Sequence, residues 1–383
     1  MNSPTPQPFR TLRRKAVAAA VAVTVGALAA GVLAVPSAVA ASGRDVVQQR
    51  MNALVADGVA PGVLGSVRSL DGRTRGYTAG VGDVATGAAV PRDGQVRVGS
   101  NTKTFTAVLV LQLVARGKVD LDASVETYLP GVVHGDRIDG NRITVRHLLQ
   151  QTSGLPNYTL HLGDDVRLYQ PRELVDIALR YPGESEPGKV WAYSNTNYVL
   201  AGLIVEAVTH RTLAEEIDRR IVRPLGLRHT YFPAPGDATI REAHPRGYYR
   251  ESAGTPLVDV TETDPSWAWA AGQLVSTPAD LNRFFTGLLN GALLPPEQLA
   301  EMRATIPAGE PFVAGTRYGL GLVSTPLSCG GVYWGHGGSI PGYETRVGVT
   351  EDGRAATVTM NVQAPDKAVA RQLEGVVDAA LCR

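Results

Sequence analysis

Cysteine is nearly missing from this chain: only Cys329 and Cys382 occur in 383 residues. That is too few for a disulfide scaffold and the wrong number for a cysteine zinc site. Histidine is scarce as well, seven in all and none in a His-Glu-x-x-His spacing, which disfavours a zinc-hydrolase helix. Charged residues make up 19%, below the roughly 25% of an average globular chain. Neither sign prevails, since 37 basic and 36 acidic groups leave a net charge of +1. The chain therefore has no electrostatic footprint for nucleic acid. No internal repeat is found and no low-complexity tract beyond the first 40 residues, so a repeat array is excluded. Gly80-x-Gly82-x-x-Ala85 imitates a dinucleotide fingerprint, but it lies in a hairpin region with no helix after it.

What is present points to a folded, exported body. Apolar residues are 44%, which argues against disorder and against a coiled coil. The one long apolar run, Ala16 to Val35, follows a positive segment from Arg10 to Lys15 and precedes Ala38-Val39-Ala40. This is the order of a secretory signal peptide, residues 1–40, with removal expected after Ala40 and no stable membrane insertion afterwards. A retained membrane anchor is the competing reading, because about 20 apolar residues can just span a bilayer. Pro36, the weak hydrophobicity of alanine and the small-residue triplet argue for removal. Arg13-Arg14 leaves Sec and Tat export both open. Without the leader, 33 basic and 36 acidic groups remain, a net charge of −3. In an exported chain Cys329 and Cys382 are expected to pair. A bridge around a loop of about 50 residues corresponds to roughly 4 kcal/mol in the chain-entropy account.

The patterning predicts an α+β fold. Val46, Val47, Met51, Leu54 and Val55 give one apolar face to a helix over 45–57. Short β-type runs over 62–70 and 74–81 flank Asp71-Gly72, a tight hairpin signature. Residues 102–116 read as a helix apolar nearly all round, hence buried, with Gly117 as its stop. From about 120 to 265 helical stretches alternate with loops: 144–151, 172–181, 197–208 and 213–222. Strand patterning returns at 318–323, 332–336, 343–350 and 355–362, and a helix closes the chain from about 366 to 381. The expected organisation is an antiparallel β-sheet flanked by helices, built from residues 45–95 and 270–383, around an inserted, mainly helical domain over 96–269.

Of five lysines only Lys103 has a serine three residues before it. An i, i+3 spacing puts Ser100 and Lys103 on one helical face, and the free N–H groups at a helix start favour negative charge where Ser100 sits. An apolar helix is also what lowers a lysine pKa far enough for it to accept a proton. Alone, Ser-x-x-Lys arises by chance about once in a chain this long, and an N-cap serine beside a solvated lysine is the plainer reading. Two further features change that balance. Tyr193-Ser194-Asn195 lies in a loop directly before a helix, and His336-Gly337-Gly338-Ser339 follows a short strand, its glycines permitting close backbone approach.

In order and spacing these stretches resemble the serine β-lactamase and penicillin-binding DD-peptidase superfamily, in its class C-like branch, and within it the secreted D-alanyl-D-alanine carboxypeptidase/transpeptidases. The resemblance runs through Val98 to Lys103, Leu111 to Pro130, Thr152-Ser153-Gly154-Leu155, Tyr193 to Asn197, Ser266-Trp267-Ala268, Tyr318 to Leu322 and Trp334 to Gly338. It implies Ser100 as the acylated nucleophile, Lys103 as its proton partner, Tyr193 as the general base and Asn195 as a holder of the substrate amide. His336 takes the place of the lysine of a Lys-Thr-Gly motif. The backbone N–H groups of Ser100 and Ser339 would form the oxyanion hole, and Trp267 would wall the substrate cleft. No cofactor and no metal are implied; the partners implied are a peptide ending in a D-amino acid or a β-lactam, with the chain a monomer.

The departures bear on substrate. Many DD-peptidases carry threonine after the histidine, whereas this chain has Gly337. Val323, Ser324, Thr325 and Pro326 stand where the nearest relatives place a carboxylate-binding arginine before the first cysteine. Gln151 occupies a position where histidine is common. No Glu-x-x-x-Asn lies between the first two motifs, which disfavours a class A mechanism. The resemblance therefore implies a secreted serine hydrolase working through an acyl-enzyme, with D-alanyl-D-alanine carboxypeptidase-type cleavage first. A class C-like β-lactamase, an esterase or a D-aminopeptidase on the same fold stands beside it. A non-catalytic penicillin-binding module is made improbable by the intact Ser100, Lys103 and Tyr193.

Overall fold

The structure, a computed structural model, describes residues 45–383 apart from 164–166 and 253. The expected leader, 1–40, lies outside the described residues. The five longest helices are α1 (Val46–Ala56), α2 (Thr102–Val114), α3 (Asn195–Thr209), α4 (Pro278–Leu289) and α5 (Lys367–Leu381). The strands of the main sheet, in chain order, are β1 (Gly62–Arg68), β2 (Thr74–Gly80), β3 (Ile306–Pro307), β4 (Arg317–Tyr318), β5 (Val323–Pro326), β6 (Val332–Gly335), β7 (Gly337–Ile340), β8 (Tyr343–Val349) and β9 (Ala355–Met360).

All pairings in this nine-stranded sheet are antiparallel, in the order β2-β1-β9-β8-β6-β5-β4-β3, and β7 pairs with β8 beside β6. The two ends of the chain thus build one sheet, with Val63 opposite Met360 and Arg68 opposite Ala355. Apolar side chains on both faces of β1 and β9 are buried, so the sheet needs cover on each side. Helices α1 and α5 cover one face with Val47, Met51, Leu54, Leu373, Val376 and Val377. Helix α4 covers the other, and Asn282 pins it there: its amide donates to Ser66 O at 2.8 Å and accepts from Thr357 Oγ1 at 2.8 Å.

Helix α2 is buried on nearly every side, as its composition requires. Phe105 stacks on Phe284 of α4 with ring centroids 3.6 Å apart. Its polar positions are tied down rather than solvated: Thr104 Oγ1 donates to Gly321 O at 2.7 Å and Thr106 Oγ1 to Ala270 O at 2.8 Å. Each buried Phe, Leu or Val on such a helix contributes roughly 1.5–3 kcal/mol relative to exposure. The turn that carries Ser100 therefore rests on one of the best-anchored elements in the chain. Helix α3 packs against α2, and the described residues belong to one compact unit.

Three expectations are corrected. The strand expected over 318–323 is two short strands, β4 and β5, because Gly321 at φ +73° turns the chain and sends Leu320 and Leu322 into the core. The helix expected over 213–222 loosens into a π-turn over Asp218–Val222, after the helix Leu213–Ile217. The helix after the Tyr-Ser-Asn segment begins at Asn195 rather than 197, so Asn195 belongs to its first turn. Helix α4 has no counterpart in the periodicity reading, although Thr277 before Pro278 is a start signal: its hydroxyl caps Asp280 N. Among the described residues no helix is long and apolar enough to cross a membrane.

Cys329 and Cys382 form a disulfide that joins the β5–β6 turn to the end of α5 across 53 positions of sequence. Removing it by Cys382→Ser is expected to lower unfolding stability by about 2–4 kcal/mol through the lost loop constraint. Urea melts at neutral pH measure this; a change under about 0.5 kcal/mol would contradict it.

Candidate active site

Ser100 lies in the 3-10 turn Gly99–Asn101 that feeds α2, and Lys103 follows in the first turn of the helix. The Lys103 side chain is fully buried. Its Nζ stands 3.0 Å from Ser100 Oγ, 2.7 Å from Asn195 Oδ1 and 2.8 Å from the Ala271 carbonyl. Burial pushes Lys103 well below the ordinary lysine range. Two of its three partners can only accept, so a neutral amine spends its two N–H donors on Asn195 and Ala271 and turns its lone pair toward the Ser100 hydroxyl. That arrangement can take a proton from serine.

The Tyr193 hydroxyl also reaches Ser100. Burial raises its hydroxyl well above the ordinary tyrosine value, with the Tyr318 hydroxyl adding to the rise; a hydrogen bond with Ser100 and the charge of Arg346 pull the other way. Lys103 Nζ is 4.9 Å from the Tyr193 ring centre. Asn195 is held from behind: its N–H donates to Asn157 Oδ1 at 3.1 Å, and its amide nitrogen reaches Asn157 Oδ1 and Thr159 Oγ1, each at 3.3 Å.

Strand β7 closes the site. Gly99 and Gly338 let it do so, because a Cβ on Gly338 would sit 2.0 Å from Val98 O and one on Gly99 would sit 2.9 Å from Ser339 N. The Ser339 backbone thereby comes directly over the Ser100 turn, and its exposed hydroxyl accepts from Gln363 Nε2 at 3.2 Å. His336 is buried, with Nδ1 2.5 Å from Gly337 O and Nε2 3.1 Å from the Tyr318 hydroxyl. The carbonyl can only accept, so Nδ1 carries the proton and Nε2 accepts from Tyr318. Burial above all lowers the His336 pKa to about 3. The imidazole is neutral over the whole working range.

These groups open on a cavity of about 530 Å³ that runs from Ser100, Tyr193 and Asn195 past His336 and Ser339 to the start of α5. Of the residues singled out from sequence, Ser100, Lys103, Tyr193, Asn195, His336 and Ser339 come together. Trp267 does not line this cavity; its side chain is half-buried against the core and its carbonyl accepts from Tyr158 Oη at 2.6 Å. The aromatic wall is Phe312 instead, 6.2 Å between ring centres from both Tyr193 and His336. At the far end Arg346 is held between Glu344 (2.6 Å) and Glu374 (3.1 Å). Its guanidinium fills the space beside Gly337, where a Cβ would meet Nη1 at 3.1 Å. Neither Phe312 nor Arg346 belongs to a motif, so only tertiary structure places them. Among the described residues no group of three or more His, Cys, Asp or Glu is arranged to hold a metal.

Comparison with known proteins fits this geometry. The Beta-lactamase family matches residues 45–381. Penicillin-binding protein 4 from Amycolatopsis lactamdurans is 29% identical over 312 residues, 80% of this chain and 78% of that protein. Protein flp from Staphylococcus aureus (strain MW2) is 28% identical over 196 residues, which span 38% of its length. Among solved structures, a D-stereospecific amidohydrolase from Streptomyces sp. is 38% identical with a TM-score of 0.77, covering 85% of this chain and 96% of that one. The D-amino acid amidase from Ochrobactrum anthropi SV3, complexed with L-phenylalanine amide, is 30% identical with a TM-score of 0.78, covering 88% and 96%.

Two outcomes follow from the site. Gly338→Ala is expected to cut the reactivity of the site toward benzylpenicillin by about 100-fold with the circular dichroism unchanged, because β7 must retreat from the Ser100 turn; a rate within about threefold of the parent would contradict the close approach. His336 cannot take up in the folded chain the proton that the unfolded chain binds below about pH 6.5. Its contribution to stability is therefore lost as pH falls from about 6.5 toward about 3. His336→Asn is expected to flatten the fall in Tm between about pH 6.5 and about pH 4; an unchanged slope would show that other groups govern it.

Proposed function

Because the chain belongs to the Beta-lactamase family, a superfamily of serine hydrolases, we propose that it hydrolyses a peptide or amide bond carried by a D-amino acid through an acyl-enzyme on Ser100. The observation that carries this reading is the contact of Lys103 Nζ with Ser100 Oγ at 3.0 Å, with two acceptor-only partners fixing the direction of the lone pair. In acylation the Ser100 proton passes to the Lys103–Tyr193 pair, Oγ bonds the substrate carbonyl carbon, and the C–N bond breaks as Tyr193 returns the proton to the leaving amine. Water then cleaves the ester and restores the Ser100 hydroxyl. The Ser100 and Ser339 N–H groups would hold the oxyanion; losing one such donor typically costs about 3 kcal/mol of transition-state stabilisation. His336, neutral and bonded to Tyr318, supplies an uncharged face to the cleft.

D-alanyl-D-alanine carboxypeptidase-type cleavage needs a receptor for the terminal carboxylate. Arg346 favours it, since its guanidinium occupies the space beside Gly337 that a threonine hydroxyl would fill, and its charge reaches both Tyr193 and His336. Cleavage of a D-amino acid amide is the second reading. It is favoured by the pairing of Arg346 with two carboxylates and by the names of the amidase relatives. Export through the leader, with the disulfide as its companion feature, and action as a monomer are part of the same proposal.

Intact mass after benzylpenicillin treatment should show an adduct on the parent and none on Ser100→Ala; an adduct on the variant would overturn the nucleophile assignment. A kcat/KM panel of a D-Ala-D-Ala tripeptide, its C-terminal amide, D-phenylalanine amide, nitrocefin and a short-chain nitrophenyl ester then separates the substrates. The carboxypeptidase form requires the free acid to lead its amide by about tenfold, and Arg346→Gln to erase that lead. An ester that leads by orders of magnitude with inert peptides and amides would overturn the amide-hydrolase reading.

A further inference from the structure

Gln151 interrupts the stretch before Thr152-Ser153-Gly154 in a left-handed conformation, φ +64°, with no exposure to solvent. A non-glycine residue pays strain there, so its side chain must return more than backbone freedom would. What it touches is the segment that bears Tyr193. The Gln151 carbonyl accepts from Ala192 N at 2.9 Å. Its side-chain Oε1 accepts from Ser194 N at 3.0 Å and from Asn197 Nδ2 at 2.6 Å. One residue thus bonds the backbone on both sides of Tyr193 and fixes the first turn of α3, which starts with Asn195. Asn197 is held in turn by Ser153 Oγ at 2.5 Å.

The Tyr318 hydroxyl, close to the Gln151 side chain, bonds His336 Nε2 at 3.1 Å, and Gln151 Nε2 itself makes no hydrogen bond. The segment Trp191 to Ser194 has no helix or strand of its own. Tyr193 therefore owes its position over Ser100 to contacts from outside its segment, and the bonds at Ala192 and Ser194 are the nearest on either side.

We propose that Gln151 is a positioning residue for acylation: through its carbonyl and its Oε1 it clamps the chain on both sides of Tyr193. This inference rests on the acyl-enzyme reading given above. It accounts for the need to keep an amide in a left-handed, buried position. Its oxygen serves two N–H donors. A merely space-filling side chain would need neither.

The test compares Gln151→Met, which keeps length and backbone conformation but has no hydrogen-bonding amide, with Gln151→Glu, which keeps the acceptor oxygen. Acylation is followed by intact mass with benzylpenicillin, and kcat and KM with whichever panel substrate the parent turns over. Gln151→Met is expected to lower the acylation rate and kcat by about 10–100-fold with KM within about threefold, and Gln151→Glu to recover most of that loss. Rates for Gln151→Met within about twofold of the parent, or no recovery with Gln151→Glu, would overturn the positioning role. Should Gln151→Met fail to fold, Gln151→Asn carries the same test, because one methylene fewer draws the oxygen away from Ser194 N; the same loss is expected and the same parity overturns it. A parent protein that forms no adduct and turns over no panel substrate refutes the acyl-enzyme reading itself, which keeps that failure distinct from a failure of Gln151.

Discussion

The burial of one amine organises this molecule. Lys103 has no carboxylate beside it, and a lone ammonium in an apolar interior is far costlier than a neutral amine. The fold answers with Asn195 and Ala271, two acceptor-only partners from different parts of the chain, and leaves the third direction to Ser100. Satisfying that amine therefore requires α2, α3 and the segment before α4 to meet at one point. Each is heavily buried there, so the nitrogen's partners are fixed by the packing of whole elements rather than by mobile side chains.

The same constraint explains where the chain must give up side chains. Three elements already converge on Lys103 and Ser100, so the fourth, β7, can approach only as bare backbone. Gly338 meets Val98 and Gly99 meets Ser339 at distances that no Cβ could share. Once β7 is bare, the space beside Gly337 is free, and Arg346 from the neighbouring strand fills it. A guanidinium that deep in the wall needs counter-charges, which Glu344 and Glu374 supply. The glycine motif and the ionic end of the cleft are thus two consequences of one packing problem.

How much of this could be read from sequence varies with how local the cause is. Helix α2 and the Ser100–Lys103 spacing were legible because both rest on i, i+3 and i, i+4 geometry. The hairpin β1–β2 was legible from Asp71-Gly72, and the antiparallel sheet with both chain ends in it follows from strands at both ends of the sequence. The split of residues 318–323 into two strands was not, since one glycine in a left-handed turn decides it and apolar periodicity cannot register a turn whose flanks are both buried. Helix α4 escaped because its apolar positions serve the sheet and its start is marked only by Thr277 and Pro278. Trp267, which the resemblance placed at the cleft wall, lies half-buried against the core and outside the cavity lining, whereas Phe312, on an irregular segment with no signature, lines the cavity 6.2 Å from Tyr193.

Gln151 belongs to a third kind. Its place in the sequence was visible as a departure from histidine, yet its role depends on bonds to residues 41 to 46 positions away, accepted by its side-chain oxygen and its backbone carbonyl. The proton transfer proposed for Tyr193 asks for a hydroxyl held still beside a serine, but a phenol has only one polar atom, and that atom must stay free to move a proton. Tyr193 cannot anchor itself with the group it has to use. Its position must come from the backbone on either side, and a residue that grips the chain at 192 and 194 while leaving the phenol alone meets that requirement.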